Sequence, residues 1–247
     1  MAELANGVLN LTLNRPEKRN ALNSATVGAL HDAFDRAATD MDVRVVALRG
    51  AGKDFCAGAD LAELLDSVDH SPDDNATQAQ YLGDVFIKIR DLPKAVVAVV
   101  TGRALAGGCG LASACDMVVA HEAASFGYPE VRRGFVPAMV MAMLRRAVGE
   151  KIAFDLVGTG RLLTAVEALQ VGLVTRVFSA DDFEDSVTGL LSSMAAASPS
   201  AVALIKRQLY ELDGRSFAEG IALGAKVNAV ARATPDFKAS VGKFLEK

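Results

Sequence analysis

Cysteine is scarce in this chain: there are three in 247 residues, at positions 56, 109 and 115. Three cannot form a paired framework, and none stands in a Cys-x-x-Cys or Cys/His ligand spacing. A disulfide-built secreted scaffold and a structural zinc site are therefore excluded, and a reducing compartment, the cytosol, is the expected location. Positive charge is not in excess: 26 Lys and Arg against 30 Asp and Glu give a net charge of −4, without a basic run. No electrostatic footprint for nucleic acid is present. No run of about 18 apolar residues occurs, and Met1–Gly7 carries an acidic residue and no apolar stretch, so neither a membrane span nor a signal peptide is expected. Internal repeats, low-complexity tracts and a Gly-x-x-x-x-Gly-Lys-Ser/Thr phosphate loop are also missing. What is plentiful is apolar material: 51% hydrophobic residues can fill a substantial core.

The apolar residues are arranged as strands alternating with helices. Val8–Leu13 alternates with period two, and Ser24 offers an N-cap for an amphipathic stretch to about Thr39. Val43–Leu48, Asp116–Ala120 and Val174–Phe178 read as further strands. Ala95–Val100 is a continuous β-branched run of the kind buried on both faces of a sheet. Asp60 can cap a helix from Leu61, residues 67–77 read as a surface loop, and Thr77–Arg90 as a helix. Gly110–Ala114 reads as a short helix, followed by helices at Met139–Val148, Lys151–Leu156 and Ala165–Val171. After about Ala180 only helical periodicity remains, broken at Ser198-Pro199, Asp213-Gly214 and Thr234-Pro235. Helices this short rarely form a core alone, so they are expected to pack on the main domain or on another subunit.

Two glycine-rich loops carry the functional signal. Phe55-Cys56-Ala57-Gly58-Ala59-Asp60 and Ala106-Gly107-Gly108-Cys109-Gly110 each follow a strand-like run. At such turns backbone N–H groups are left without partners, and two of them converging on one oxygen would make an oxyanion hole, the device that stabilises an enolate in carbonyl chemistry.

With these loops, Asn14–Leu22, Ala104–Asp116, Phe126–Gly134, Thr159-Gly160-Arg161, Glu167-Ala168 and Gly172-Leu173-Val174 make an ordered set that resembles the crotonase, or enoyl-CoA hydratase/isomerase, superfamily over nearly the whole chain. The resemblance implies an α/β fold, a spiral of ββα units binding an acyl-CoA thioester in residues 1–195. It also implies a C-terminal helical region, 196–247, through which trimers form and often pair into hexamers. No metal is implied, and no cofactor other than the coenzyme A of the substrate itself. By motif, the oxyanion donors are the amides of Ala59 and Gly107. Lys18, Ala21 and Ala57 fall in segments that contact CoA, and Lys247 ends a tail that in relatives reaches toward it.

The chain departs from this pattern at the catalytic carboxylates. The hydratases resemble Ala-Leu-Gly-Gly-Gly-Cys-Glu, and their first acid would fall on Gly110, which has no side chain. Their second falls on Glu130, which is present. Hydration shares its proton transfers between two carboxylates, whereas moving a double bond from C3 to C2 needs one base and no water. Isomerisation by Glu130 is therefore the expected reaction, with hydration and non-catalytic acyl-CoA binding as alternatives. Glu122 or Asp60 could replace the missing acid. An apolar pocket of Phe126, Phe135, Val136, Met139, Val140 and Met143 is expected to raise the pKa of Glu130. Cys56 and Cys109 read as small buried residues, His31, His70 and His121 as surface positions, and Asp60 and Asp116 as residues that cap helices or tie loops. A dinucleotide fingerprint at Gly108-x-Gly110 lacks its third glycine, with Ser113 in its place.

Overall fold

Six consecutive alanines and valines, Ala95–Val100, form the central strand of a sheet and are buried along their whole length. Alternate residues feed two separate cores: Val96, Ala98 and Val100 join one cluster, Ala95, Val97 and Val99 the other. A strand buried on both faces gains about 1.5–3 kcal/mol per valine, which explains why it carries no polar residue.

The computed structural model describes residues 1–246. In chain order the elements are β1 (Ala2–Ala5), β2 (Val8–Leu13), α1 (Ser24–Thr39), β3 (Val45–Gly50), α2 (Leu61–Asp66), α3 (Pro72–Asp91), β4 (Ala95–Val100), β5 (Arg103–Leu105), α4 (Gly107–Ala114), β6 (Met117–His121) and β7 (Ser125–Gly127). A 3-10 turn at Pro129–Arg133 leads to α5 (Met141–Val148), α6 (Glu150–Thr159), β8 (Leu162–Thr164), α7 (Ala165–Gln170) and β9 (Arg176–Phe178). The chain finishes with α8 (Phe183–Ala196), α9 (Pro199–Glu211), α10 (Phe217–Ala233) and α11 (Pro235–Leu245).

The main sheet has the order β1-β2-β3-β4-β6-β9, parallel except for the β1–β2 hairpin. A second sheet, β5-β7-β8, runs beside it. Successive turns of the chain give one strand to the large sheet and one to the small: β4 then β5, β6 then β7. Isolated bridges Cys56↔Ala104 and Leu22↔Ala59 carry the small ladder outward, so that Cys56, Ala104, Phe126 and Leu163 stand in one row. This spiral stacks the ends of equivalent turns roughly one strand spacing, ~4.8 Å, apart. Loops nearly 50 positions apart in sequence are thereby brought side by side.

Two expectations are corrected here. The segment read as a loop, 67–77, is half helix: Ser71 caps α3 by accepting from the Asp74 amide, and Pro72 stands at the first helical position, where its missing N–H costs nothing. Helix α4 starts at Gly107 rather than Gly110, which places the second glycine loop in its first turn.

The C-terminal helices are tied to the core by a charge. Lys206 of α9 is buried, and its Nζ donates to the carbonyls of Ile89 and Lys94 and pairs with Asp116 at 2.8 Å. Asp116 also accepts from the Val96 amide at 2.7 Å and from the Tyr210 hydroxyl at 2.5 Å. The reading of Asp116 as a tie between segments holds, while the lysine facing it has no counterpart in the sequence pattern. Burial pushes the Lys206 pKa down and Asp116 pulls it back up. Removing the carboxylate leaves a buried, uncompensated ammonium, a change that typically costs ~3–5 kcal/mol. Asp116→Ala is expected to lower Tm by roughly 10 °C or more in thermal unfolding; an unchanged Tm would show that the pair contributes nothing.

Candidate active site

Arg15, Asn20 and Asp60 lock the first loop in place. Asn20 is buried, takes the Arg15 amide on its Oδ1 and donates its Nδ2 to the carbonyls of Ala51 and Asp54. Arg15 donates to the Ala21 carbonyl at 2.7 Å and to Asp60 at 2.9 Å. Asp60 caps α2 through the Ala62 amide. The Arg15 guanidinium, with that amide, holds the Asp60 carboxyl below the usual range. The Leu22 amide donates to the Gly58 carbonyl and the Asp60 amide to the Leu22 carbonyl, which leaves the Ala59 N–H between them turned outward.

The second loop meets the first at Gly58. There φ is +97°, and a Cβ would stand 2.7 Å from the Ala106 methyl and 3.2 Å from the Gly107 nitrogen, so only glycine fits. Ala106 itself has φ +53° and ψ −129°, a conformation that costs a non-glycine residue about 1–3 kcal/mol. It is held by two hydrogen bonds: its amide donates to the Gly127 carbonyl at 2.8 Å, and its carbonyl accepts from the Gly110 amide at 3.0 Å. The effect is to start α4 abruptly, with no side-chain cap. Among the described residues neither the Ala59 nor the Gly107 amide finds a protein acceptor. A Cβ on Gly107 would lie 3.8 Å from the Ala59 nitrogen, so the two donors face one small space at a helix N-terminus. Such a space favours an oxygen carrying negative charge.

Glu130 follows directly on the strand that holds Ala106. Gly127, the acceptor for Ala106, ends β7, and the Pro129–Arg133 turn follows immediately. Gly160 at the end of α6 leaves room for that turn: a Cβ there would stand 3.3 Å from Pro129 Cα and 3.1 Å from Val131 Cγ1. Glu130 is 9% exposed, and its Oε2 is buried without a hydrogen-bond partner among the described residues. Burial raises its pKa above the ordinary carboxylate value, opposed by its own backbone amide and by the Arg133 charge. A carboxylate kept partly desolvated and unpaired is suited to taking up a proton.

Several candidates are placed elsewhere. Glu122 accepts from the Ala180 amide at the β6–β9 edge, and Asp60 is engaged by Arg15, so each proposed substitute for the missing acid is already occupied. The expected pocket is only partly formed: Phe126, Val140 and Met143 are buried, but Phe135 is 54% and Val136 61% exposed, because the chain past Gly134 swings outward before α5. Leu82 of α3 lies nearer the loops instead, with Cδ2 3.8 Å from where a Cβ on Gly107 would be, and the Met139 sulfur lies 3.4 Å from where a Cβ on Gly83 of α3 would be. Burial pushes the Cys56 and Cys109 thiols up to about 12, which leaves no thiolate for nucleophilic attack. His31 is not a surface residue: it is buried, stacks on Tyr81 and bonds the Tyr81 carbonyl through Nε2. Ala57 donates to the Arg19 carbonyl, so Lys18, Ala21 and Ala57 lie along one edge of the first loop. Lys18 is exposed there, and Lys247 lies outside the described residues.

Comparison with known proteins gives the family. The family model described as enoyl-CoA hydratase/isomerase matches residues 3–247. This chain belongs to the enoyl-CoA hydratase/isomerase family. It is 37% identical to the 2,3-dehydroadipyl-CoA hydratase of Escherichia coli K12, over 97% of this chain and 92% of that protein. Among solved structures, an enoyl-CoA hydratase of Mycobacterium smegmatis superposes with a TM-score of 0.94 at 34% identity, over all of this chain and 95% of the other. Human enoyl-coenzyme A hydratase domain-containing protein 3 superposes equally well, at 29% identity over all of this chain and 96% of that one. The spiral of ββα turns is thus the crotonase fold, as the motifs imply.

The position on which the motif resemblance places the hydratases' first acid is closed as well as empty. Gly110 is buried one turn into α4, and a Cβ there would stand 2.1 Å from Val140 Cγ1 and 3.6 Å from Phe86 Cζ. The site therefore offers two amide donors, one buried carboxylate and an apolar wall of Leu82, Phe86, Met139 and Val140.

Proposed function

We propose that this enzyme is an enoyl-CoA isomerase that moves a double bond from C3 to C2 of an acyl-CoA thioester with Glu130 as its single base. The observation that carries the reading is Gly110, where the first carboxylate of a hydratase, by the motif resemblance, has neither an atom nor room for one. The thioester oxygen accepts hydrogen bonds from the Ala59 and Gly107 amides. Glu130 removes a proton from C2, and the electron pair moves onto the oxygen, giving a dienolate that the two donors and the α4 dipole stabilise. The protonated Glu130 then returns the proton at C4, the C2=C3 bond forms, and the carboxylate is regenerated. Water takes no part, and the same base serves both steps. Lys18, Ala21 and Ala57 form the edge along which the CoA portion lies.

A second reading, hydration of a 2-enoyl-CoA, is favoured by the names of the relatives, 2,3-dehydroadipyl-CoA hydratase among them. Purified protein given a 3-enoyl-CoA and a 2-enoyl-CoA in separate assays distinguishes the two. Isomerisation of the first with slow or no hydration of the second is expected. Rapid hydration with no isomerisation would make the protein a hydratase, and binding of both without turnover would make it an acyl-CoA-binding protein.

A further inference from the structure

We infer that Val140 selects the reaction: seated in the notch left by Gly110, it fills with hydrocarbon the position that the first acid of a hydratase would take and so denies the site a second proton-transfer group and an activated water. The inference rests on the isomerase reading above and names the residue that enforces it.

Gly110 has no conformational reason to be glycine. It lies inside α4 with ordinary helical backbone, at a position where alanine is the better helix former. The reason is steric. Val140 stands at the start of α5 with 3% of its surface exposed. Its Cγ1 and Cβ lie 2.1 Å and 3.0 Å from where a Cβ on residue 110 would be, and Phe86 of α3 closes the remaining side. Any side chain at 110 must displace Val140, and Val140 can pack so closely only because 110 has none. The two positions are one packing unit.

Its chemical consequence concerns water. Hydration needs a water oxygen delivered to C3 with a group to take its proton, and an ordered water in a protein interior needs two to four polar partners. Around Gly110 the neighbours are Val140 and Phe86, with Leu82 near Gly107 at the start of the same helix, and none of these side chains provides a strong hydrogen-bonding group. A substrate is held there by apolar contact, while its reactive carbons meet Glu130 alone.

Four proteins test this: wild type, Gly110→Glu, Val140→Ala, and the double variant Gly110→Glu/Val140→Ala. Each is measured for Tm, for hydration of a 2-enoyl-CoA and for isomerisation of a 3-enoyl-CoA. Gly110→Glu alone is expected to lower Tm by roughly 5 °C or more through overpacking, and Val140→Ala in that background to recover at least half of the loss. Hydration is expected to rise about tenfold or more over wild type in the double variant and in neither single one. Additive Tm shifts, or a Gly110→Glu protein that folds and hydrates as well as the double variant, would overturn the inference. So would a folded double variant with no gain in hydration. Rapid hydration by wild type would overturn it together with the isomerase reading. If wild type turns over neither substrate but the double variant hydrates, the isomerase reading falls and the role of Val140 stands.

Discussion

Glu130→Gln is expected to lower kcat on a 3-enoyl-CoA by about 10³-fold with little change in KM, because it removes the group that takes and returns the proton. The carboxylate is buried, its Oε2 has no hydrogen-bond partner among the described residues, and its pKa is raised. The base works ionised, so the acid limb of the wild-type kcat/KM profile should lie above the ordinary glutamate value of about 4.3 and disappear in the variant. Stability moves the other way. A carboxyl whose folded pKa is raised contributes stability that is fully present below its unfolded pKa and is lost as pH rises through the folded value. At pH 7 the ionised side chain is therefore a cost to folding, and Glu130→Gln should melt no lower than wild type. A variant that keeps wild-type kcat would remove Glu130 from the chemistry, and one that melts much lower at pH 7 would make it a structural residue.

Gly107→Ala carries the second large effect. Among the described residues the nearest atoms to the added methyl, on Ala59 and Leu82, lie 3.8 Å away, and Gly107 has no positive φ, so alanine at the first helical position should fold at least as well as glycine. The methyl projects beside the Ala59 nitrogen, into the space that the thioester oxygen needs. Loss of one oxyanion donor typically lowers kcat 10²- to 10³-fold, and a fall of about 10²-fold is expected here. Gly108→Ala, one residue on, makes the contrast. Its methyl would lie 2.4 Å from the Cys56 carbonyl oxygen and 2.7 Å from the Cys56 sulfur, so it should lower Tm first and activity as a consequence. Equal kinetics for Gly107→Ala and wild type would move the oxyanion hole away from this amide.

What could be read from the sequence was mostly local. The central strand announced itself by composition, and the two glycine loops by their position after strand-like runs. Gly110 stood out because a carboxylate was expected there. The short strands β5, β7 and β8 escaped notice because three residues carry no measurable period, and their pairing is set by the spiral. The start of α3 was hidden in Ser71-Pro72-Asp73-Asp74, a run whose composition suits a loop as well as a capped helix. Packing between distant segments was not legible at all. That Val140 sits in the notch of Gly110, that Lys206 lies buried against Asp116, and that His31 stacks under Tyr81 depend on contacts between segments 30 to 90 positions apart. The exposure of Phe135 and Val136 belongs with these: an apolar pair after Gly134 looks like pocket lining until the path of the chain is known.

The central claim is that one carboxylate carries a proton from C2 to C4 without water. A 3-enoyl-CoA with deuterium at C2, incubated with the enzyme in ordinary water and followed by NMR, tests it most directly. The account predicts a 2-enoyl-CoA with part of the label at C4, and no such transfer by Glu130→Gln. A 3-hydroxyacyl-CoA formed from the 2-enoyl thioester at a comparable rate, or a product that never carries label at C4, would contradict it.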